Sequence, residues 1–194
     1  MTKNSILLEK TPDSWAHGVL KNFDLFLLDH AACERKAAFL ALSFTVKYPE
    51  REALIDPMIS LAIEELKHLK EVNKIILDRK IPLLQKDEKD TYVNKFIASL
   101  RHGRNERLLD RLLMSSLVEA RGEERFSLIT EHLEDPFFKE FYTRLAHEEA
   151  GHHRLFMMLA RHYFSDEEIS ARLKELAVVE AEAMLTTPLS YRLH

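Results

Sequence analysis

Ala146-His147-Glu148-Glu149-Ala150-Gly151-His152-His153 places a glutamate and a histidine, Glu149 and His152, three positions apart in a strongly helical context. At that spacing both side chains share one face of a helix. The arrangement occurs once more, at Glu65 and His68, and nowhere else in the chain. A Glu-x-x-His match alone is a weak sign, because a chain with 10 histidines supplies such pairs by chance. Its weight comes from what precedes each pair. Glu34 stands 31 residues before Glu65, and Glu119 stands 30 before Glu149, each inside a long apolar-periodic segment. One unit therefore occurs twice: a helix carrying a glutamate, a turn, and a returning helix carrying Glu-x-x-His. Two such antiparallel hairpins packed as a four-helix bundle converge four carboxylates and two imidazoles on one interior point, the ligand set of dinuclear carboxylate proteins.

The rest of the sequence fits that frame. Asp13 or Ser14 caps a short helix through Val19, and the core helices are expected at about 22–48, 56–80, 105–132 and 135–163, with a last helix at about 165–185. Pro49 breaks the first core helix. Asp56-Pro57 reads as the N-cap and first position of the second, with Glu50 to Ile55 as an optional preceding turn, and Asp135-Pro136 gives the fourth a sharp start. Ser165 with Glu168 forms a capping box. Between Ile81 and Gly103 the pattern weakens to a charged loop, Lys86 to Asp90, and a short amphipathic helix, Thr91 to Leu100. This is the one long crossover of a ferritin-like bundle. The expected fold is all-α, a single ferritin-like domain over 1–194 with short N-terminal and C-terminal helices.

Composition excludes several classes. The chain has 194 residues, 46% hydrophobic and 31% charged, with 4 Gly and 6 Pro, as an all-helical protein with a sizeable core would. The single Cys33 rules out an intramolecular disulfide framework and suits a reducing compartment, so a cytoplasmic protein is expected. Met1 to Asp13 lacks the apolar core of a secretory signal, and no segment approaches the roughly 20 uncharged apolar residues of a membrane span. A net charge of -4 does not favour a nucleic-acid partner globally, so any such partner needs a local patch. Arg101-His-Gly-Arg-Asn-Glu-Arg107, with Arg111 and Lys95, is the one candidate, and a solvated helix end explains it equally well.

Around Glu34 the shared face carries Leu27, His30, Ala31, Ala37, Ala38 and Ala41; around Glu119 it carries Leu112, Ser115, Ser116, Gly122, Glu123 and Phe126. Leu61, Ala62, Leu69, Val72 and Ile75 surround Glu65 and His68, and Tyr142, Leu145, Ala146, His153 and Phe156 surround Glu149 and His152. A lone helical glutamate is usually solvated, and a lone histidine on an apolar face is usually a satisfied core residue. Six such residues at matched depths are different, because buried carboxylates repel one another unless a cation joins them. On the third helix Glu119 matches the depth of Glu149. Glu124 stays open as the alternative, because Glu124-Arg125 copies Glu34-Arg35. Mixed carboxylate and imidazole ligands suit iron or manganese, and the lack of a thiolate cluster argues against zinc or iron–sulfur. Cys33, on another face, reads as packing.

His30-Ala-Ala-Cys-Glu-Arg-Lys-Ala-Ala38, the Glu65 and His68 pair, Glu119-Ala-Arg-Gly-Glu-Glu-Arg-Phe126 and the Glu149 and His152 pair together resemble the MiaE-type tRNA hydroxylases, from about Asp24 to Leu185. Where that family's third string often has a cysteine before Glu-Arg, this chain has Glu123. The resemblance implies an oxygen-dependent non-haem di-iron monooxygenase acting on the isopentenyl group of 2-methylthio-N6-isopentenyladenosine beside a tRNA anticodon. It implies two iron ions held by Glu34, Glu65, His68, Glu119, Glu149 and His152, with Glu65 and Glu149 bridging. Dioxygen would be the co-substrate, and tRNA the partner. The chain carries no flavin or nicotinamide fingerprint, so an external electron donor, a reductase or ferredoxin, is expected. Two other readings share the fold: a ferritin or rubrerythrin relative that oxidises or stores iron, and a hydroxylase of another small substrate such as a quinone. The oligomeric state stays open between monomer and dimer.

Overall fold

The computed structural model describes residues 6–86, 90–187 and 191–193. Readings that touch residues 1–5, 87–89, 188–190 and 194, including part of the N-terminal segment, most of the charged loop and part of the tail, lie outside the described residues. Seven α-helices and no strand occur among the described residues: α1 Asp13–Lys21, α2 Phe23–Lys47, α3 Glu52–Asp78, α4 Thr91–Ser99, α5 Arg104–His132, α6 Pro136–Tyr163 and α7 Asp166–Thr186. They fall into two compact units, one drawn from the described residues of 19–86 and 191–193, the other from those of 6–18 and 90–187.

The first unit is the α2–α3 hairpin. After Phe44 the chain turns through Tyr48, whose N–H still bonds the Phe44 carbonyl at 2.9 Å, and Pro49 prevents continuation. The α2 core face is Phe26, Leu27, His30, Ala31, Glu34, Ala38, Ala41 and Phe44. Leu54, Met58, Leu61, Ala62, Glu65, His68, Val72 and Ile76 bury the facing stripe of α3, while Lys67, Lys70 and Lys74 are exposed, as their positions predict. α3 begins at Glu52, four residues before the expected Asp56 cap, and Pro57 lies inside it. Starting early buries Leu54 one turn before Met58, and both are fully buried. That apolar gain offsets the backbone bond Pro57 cannot make. The other end closes with Lys80 at φ 58°. Ile81 N–H reaches back to the Ile76 carbonyl and Lys80 N–H to that of Leu77, both at 3.0 Å, the two bonds of a Schellman stop.

In the second unit α5 and α6 form the equivalent hairpin, and α7 and α4 pack beside them. Asp135 caps α6 by accepting from Phe137 N–H at 2.9 Å, with Pro136 at the start of the helix. The Ser165 and Glu168 capping box opens α7. α7 is not short: its 21 residues cover a second face of α5, which is why every residue of α5 from Leu108 to Leu117 is buried. Burying that second face requires its polar residues to be paired. Asp110 accepts from Arg101 and from Arg172 of α7; burial alone would raise its carboxyl pKa, but the two guanidinium groups hold it below the usual range. Arg121 donates to Glu180 at 2.8 Å, and the same Glu180 oxygen accepts from Tyr92 of α4 at 2.8 Å. Arg121, Glu180 and Tyr92 are at most 1% exposed.

Removing Glu180 takes away the fully buried partner of Arg121, leaving it the part-exposed Glu124, and also takes away the acceptor that Tyr92 shares. Glu180→Ala is expected to cost about 3–5 kcal/mol in urea unfolding. Lys80→Gly removes a side chain from a left-handed position and is expected to stabilise the protein by roughly 0.5–1 kcal/mol in the same assay.

Candidate metal centre

Within the first unit, the hairpin register set by the Tyr48 turn brings Glu34 level with Glu65 and His68. His68 Nδ1 lies 3.6 Å from Glu34 Oε2 and 3.5 Å from Glu65 Oε2. All three residues are at most 3% exposed. A fourth residue joins them: His30 Nε2 lies 2.6 Å from Glu34 Oε1, one helical turn earlier on α2. The sequence reading had His30 only as part of the stripe; its i, i+4 spacing from Glu34 is the signal that marks it. Burial by itself would push the His68 pKa down. The Glu34 and Glu65 carboxylates outweigh burial and push it up, to about 10. A proton thus occupies His68 because two buried anions demand positive charge there.

The second unit repeats the geometry. His152 Nδ1 lies 3.5 Å from Glu149 Oε2 and 3.9 Å from Glu119 Oε2, and all three are buried. Gly122 leaves space beside them, since a Cβ there would sit 3.7 Å from the Glu149 carboxylate. Ser116 Oγ, the next small residue, bonds His153 Nδ1 at 2.7 Å, which turns His153 to a different partner from its neighbour. Glu124 goes elsewhere. It accepts from Thr11 N–H at 2.9 Å, from Thr11 Oγ1 at 2.7 Å and from Arg121. Five residues on from Glu119, it is rotated by about 140° around α5. Cys33 Sγ lies 3.8 Å from Asp29 Oδ2, on its own helix.

The basic segment before α5 does not stand as a patch. Arg101 is bound to Asp110, Arg111 is 4% exposed, and Lys95 donates to Thr186 at 2.6 Å. His102 and Arg104 are its exposed members.

Two carboxylates and one imidazole buried together, twice, form a donor set that fits hard divalent or trivalent metal ions. Among the described residues no helix is long and apolar enough to cross a membrane.

Comparison with known proteins places this arrangement. The family model described as tRNA-(MS[2]IO[6]A)-hydroxylase (MiaE) matches residues 1–194. A tRNA 2-(methylsulfanyl)-N(6)-isopentenyladenosine(37) hydroxylase of Pseudomonas putida is 32% identical, over 95% of this chain and 89% of that protein. The Salmonella typhimurium protein of the same description is 28% identical, over 95% of this chain and 85% of its own length. Among solved structures, a Synechococcus protein with aldehyde deformylating oxygenase activity is similar at TM-score 0.90 and 34% identity, covering 97% of this chain and 94% of that one. The all-α fold is that of the ferritin-like helical bundles.

The raised His68 pKa gives a signed expectation. A proton bound more tightly in the folded state stabilises it fully below the ordinary value of 6.5, and that contribution is lost as pH rises through about 10. Metal-free protein is therefore expected to lose stability across this window. Divalent metal added at pH 8 should release a proton, read by calorimetry in buffers of different ionisation enthalpy.

Proposed function

The chain belongs to the MiaE family of tRNA hydroxylases, and from that premise we infer that it is an oxygen-dependent, non-haem di-iron monooxygenase hydroxylating the isopentenyl group of 2-methylthio-N6-isopentenyladenosine next to the tRNA anticodon. The observation that carries the reading is the duplicated buried trio. Glu34, Glu65 and His68 on one hairpin and Glu119, Glu149 and His152 on the other have the same residue types, the same spacing and closely similar distances. Six ligands of this composition would hold two irons, Glu34, Glu65 and His68 from one hairpin and Glu119, Glu149 and His152 from the other. The bonds of Glu124 to Thr11 and Arg121 favour Glu119 as the ligand from α5.

Iron supplies the redox chemistry that activates dioxygen for insertion into an unactivated C–H bond. The chain supplies the rest. The four carboxylates would offset the positive charge of the metals, and the two imidazoles would serve as neutral nitrogen ligands beside them. Phe26, Leu27 and Ala38 on α2, and Tyr142, Leu145 and Phe156 on α6, are buried on the ligand-bearing helices and exclude bulk water. Small residues at Ala31, Ala38 and Gly122 avoid filling the space beside the carboxylates. Electrons come from a separate reductase or ferredoxin, tRNA is the macromolecular substrate, and the reaction is placed in the cytoplasm.

One observation favours a second reading. The solved relative with aldehyde deformylating oxygenase activity is as similar in sequence as the curated hydroxylases. An aldehyde substrate is therefore the competing small-molecule reading.

Protein loaded with ferrous iron, given dioxygen, a chemical reductant and tRNA carrying the unhydroxylated base, is expected to add one oxygen to the isopentenyl adenosine, detected by nucleoside mass analysis. Glu119→Ala is expected to abolish that product, whereas Glu124→Ala retains it at lower protein stability. Iron oxidation without a modified nucleoside would overturn the tRNA reading in favour of iron handling, and loss of the carbonyl carbon from a supplied aldehyde would do so in favour of the second reading.

A further inference from the structure

The two hairpins repeat their ligands but not the residue one turn before the single glutamate. On α2 that residue is His30, completely buried, with Nε2 at 2.6 Å from Glu34 Oε1. On α5 the corresponding residue, four before Glu119, is Ser115. Ser115 is completely buried as well, and its hydroxyl makes no hydrogen bond among the described residues. The sequence repeat is thus broken at a position from which a side chain can restrain the carboxylate of its own helix.

A carboxylate accepts from a ring N–H, so Nε2 is the donating nitrogen of His30. The bond takes one oxygen of Glu34 and leaves the other, Oε2, beside His68. A ligand held this way by an outer hydrogen bond loses less conformational freedom when it binds a metal, and its orientation is set in advance. Ser115 makes no such bond to Glu119. We propose that His30 is a positioning residue for Glu34, and that its replacement by Ser115 in the second hairpin makes the two metal positions unequal, the one on the α2–α3 side binding more tightly. This rests on the dinuclear reading above.

The test compares two amides. In glutamine the side-chain nitrogen stands as many bonds from Cβ as Nε2 does in histidine, so His30→Gln keeps a donor within reach of Glu34. His30→Asn is one bond too short. Both bury a primary amide, so their comparison is insensitive to the cost of losing the imidazole ring. Anaerobic titration of the metal-free full chain with ferrous iron, followed by calorimetry, and with cobalt(II), followed by its visible absorption, reads each binding event. Wild-type protein is expected to bind two ions with separable affinities. His30→Asn is expected to weaken the tighter event by about 10–100-fold and leave the other unchanged, while His30→Gln stays close to wild type. Equal binding by the two variants, or equal weakening of both events in His30→Asn, would overturn the positioning role while the dinuclear centre stood. Wild-type protein that binds no metal would overturn the dinuclear reading and this proposal together.

Discussion

Two carboxylates buried against one imidazole inside a helix hairpin cannot remain as three neutral neighbours of convenience. In a dry interior the like charges repel, and the protein must protonate them or supply a cation. His68 shows the constraint at work, its basicity raised by Glu34 and Glu65 despite burial. The hairpins are built to tolerate this stress rather than avoid it. Each places its glutamates and histidine mid-helix, where the backbone is fully hydrogen bonded, and surrounds them with small or apolar residues. A site with that composition gains stability from metal and holds it in a fixed frame.

The second unit shows how the frame resists distortion. α5 carries Glu119 on one face and a buried ionic network on another, where Arg121 joins Glu180 of α7, Thr11 and Glu124, and Tyr92 of α4 donates to the same Glu180. Burial pushes the Tyr92 phenol well above its ordinary value, with the Glu180 charge adding to it. Arg125 stacks over Trp15 at 5.0 Å and is pulled down to about 10, chiefly by burial. The string Glu119 to Phe126 therefore has two jobs. Glu119 and Gly122 face the buried Glu149 and His152; Arg121, Glu124 and Arg125 anchor the helix from behind.

Much of this was legible from periodicity. The helices carrying the ligands, the Asp135-Pro136 start, the capping box and the inward turn of Glu65 and His68 follow from local rules, because each depends on residues within one or two turns. What escaped depends on partners distant in the chain. Arg121 and Glu180 are 59 positions apart, so neither announces the other. The unbroken burial of α5 from Leu108 to Leu117 has the same origin. From sequence alone the Arg101 to Arg111 run reads equally as a phosphate-binding patch or a solvated helix end, because the pairing of Asp110 with Arg172, 62 positions away, is not visible there. Pro57 misplaced the start of α3, since the burial of Leu54 outweighed a backbone preference. Spacing favours Glu119 on depth while the copied Glu-Arg string keeps Glu124 open, and the bonds of Glu124 to Thr11, 113 positions away, weigh toward Glu119.

The central proposal is that one chain binds two iron ions as a di-iron centre. Mössbauer spectroscopy of the protein loaded with enriched iron and then oxidised tests it most directly. The account predicts two ferric ions per chain that are magnetically coupled into a diamagnetic ground state, as carboxylate-bridged neighbours are. One iron per chain, or two that behave as isolated paramagnets, would contradict it.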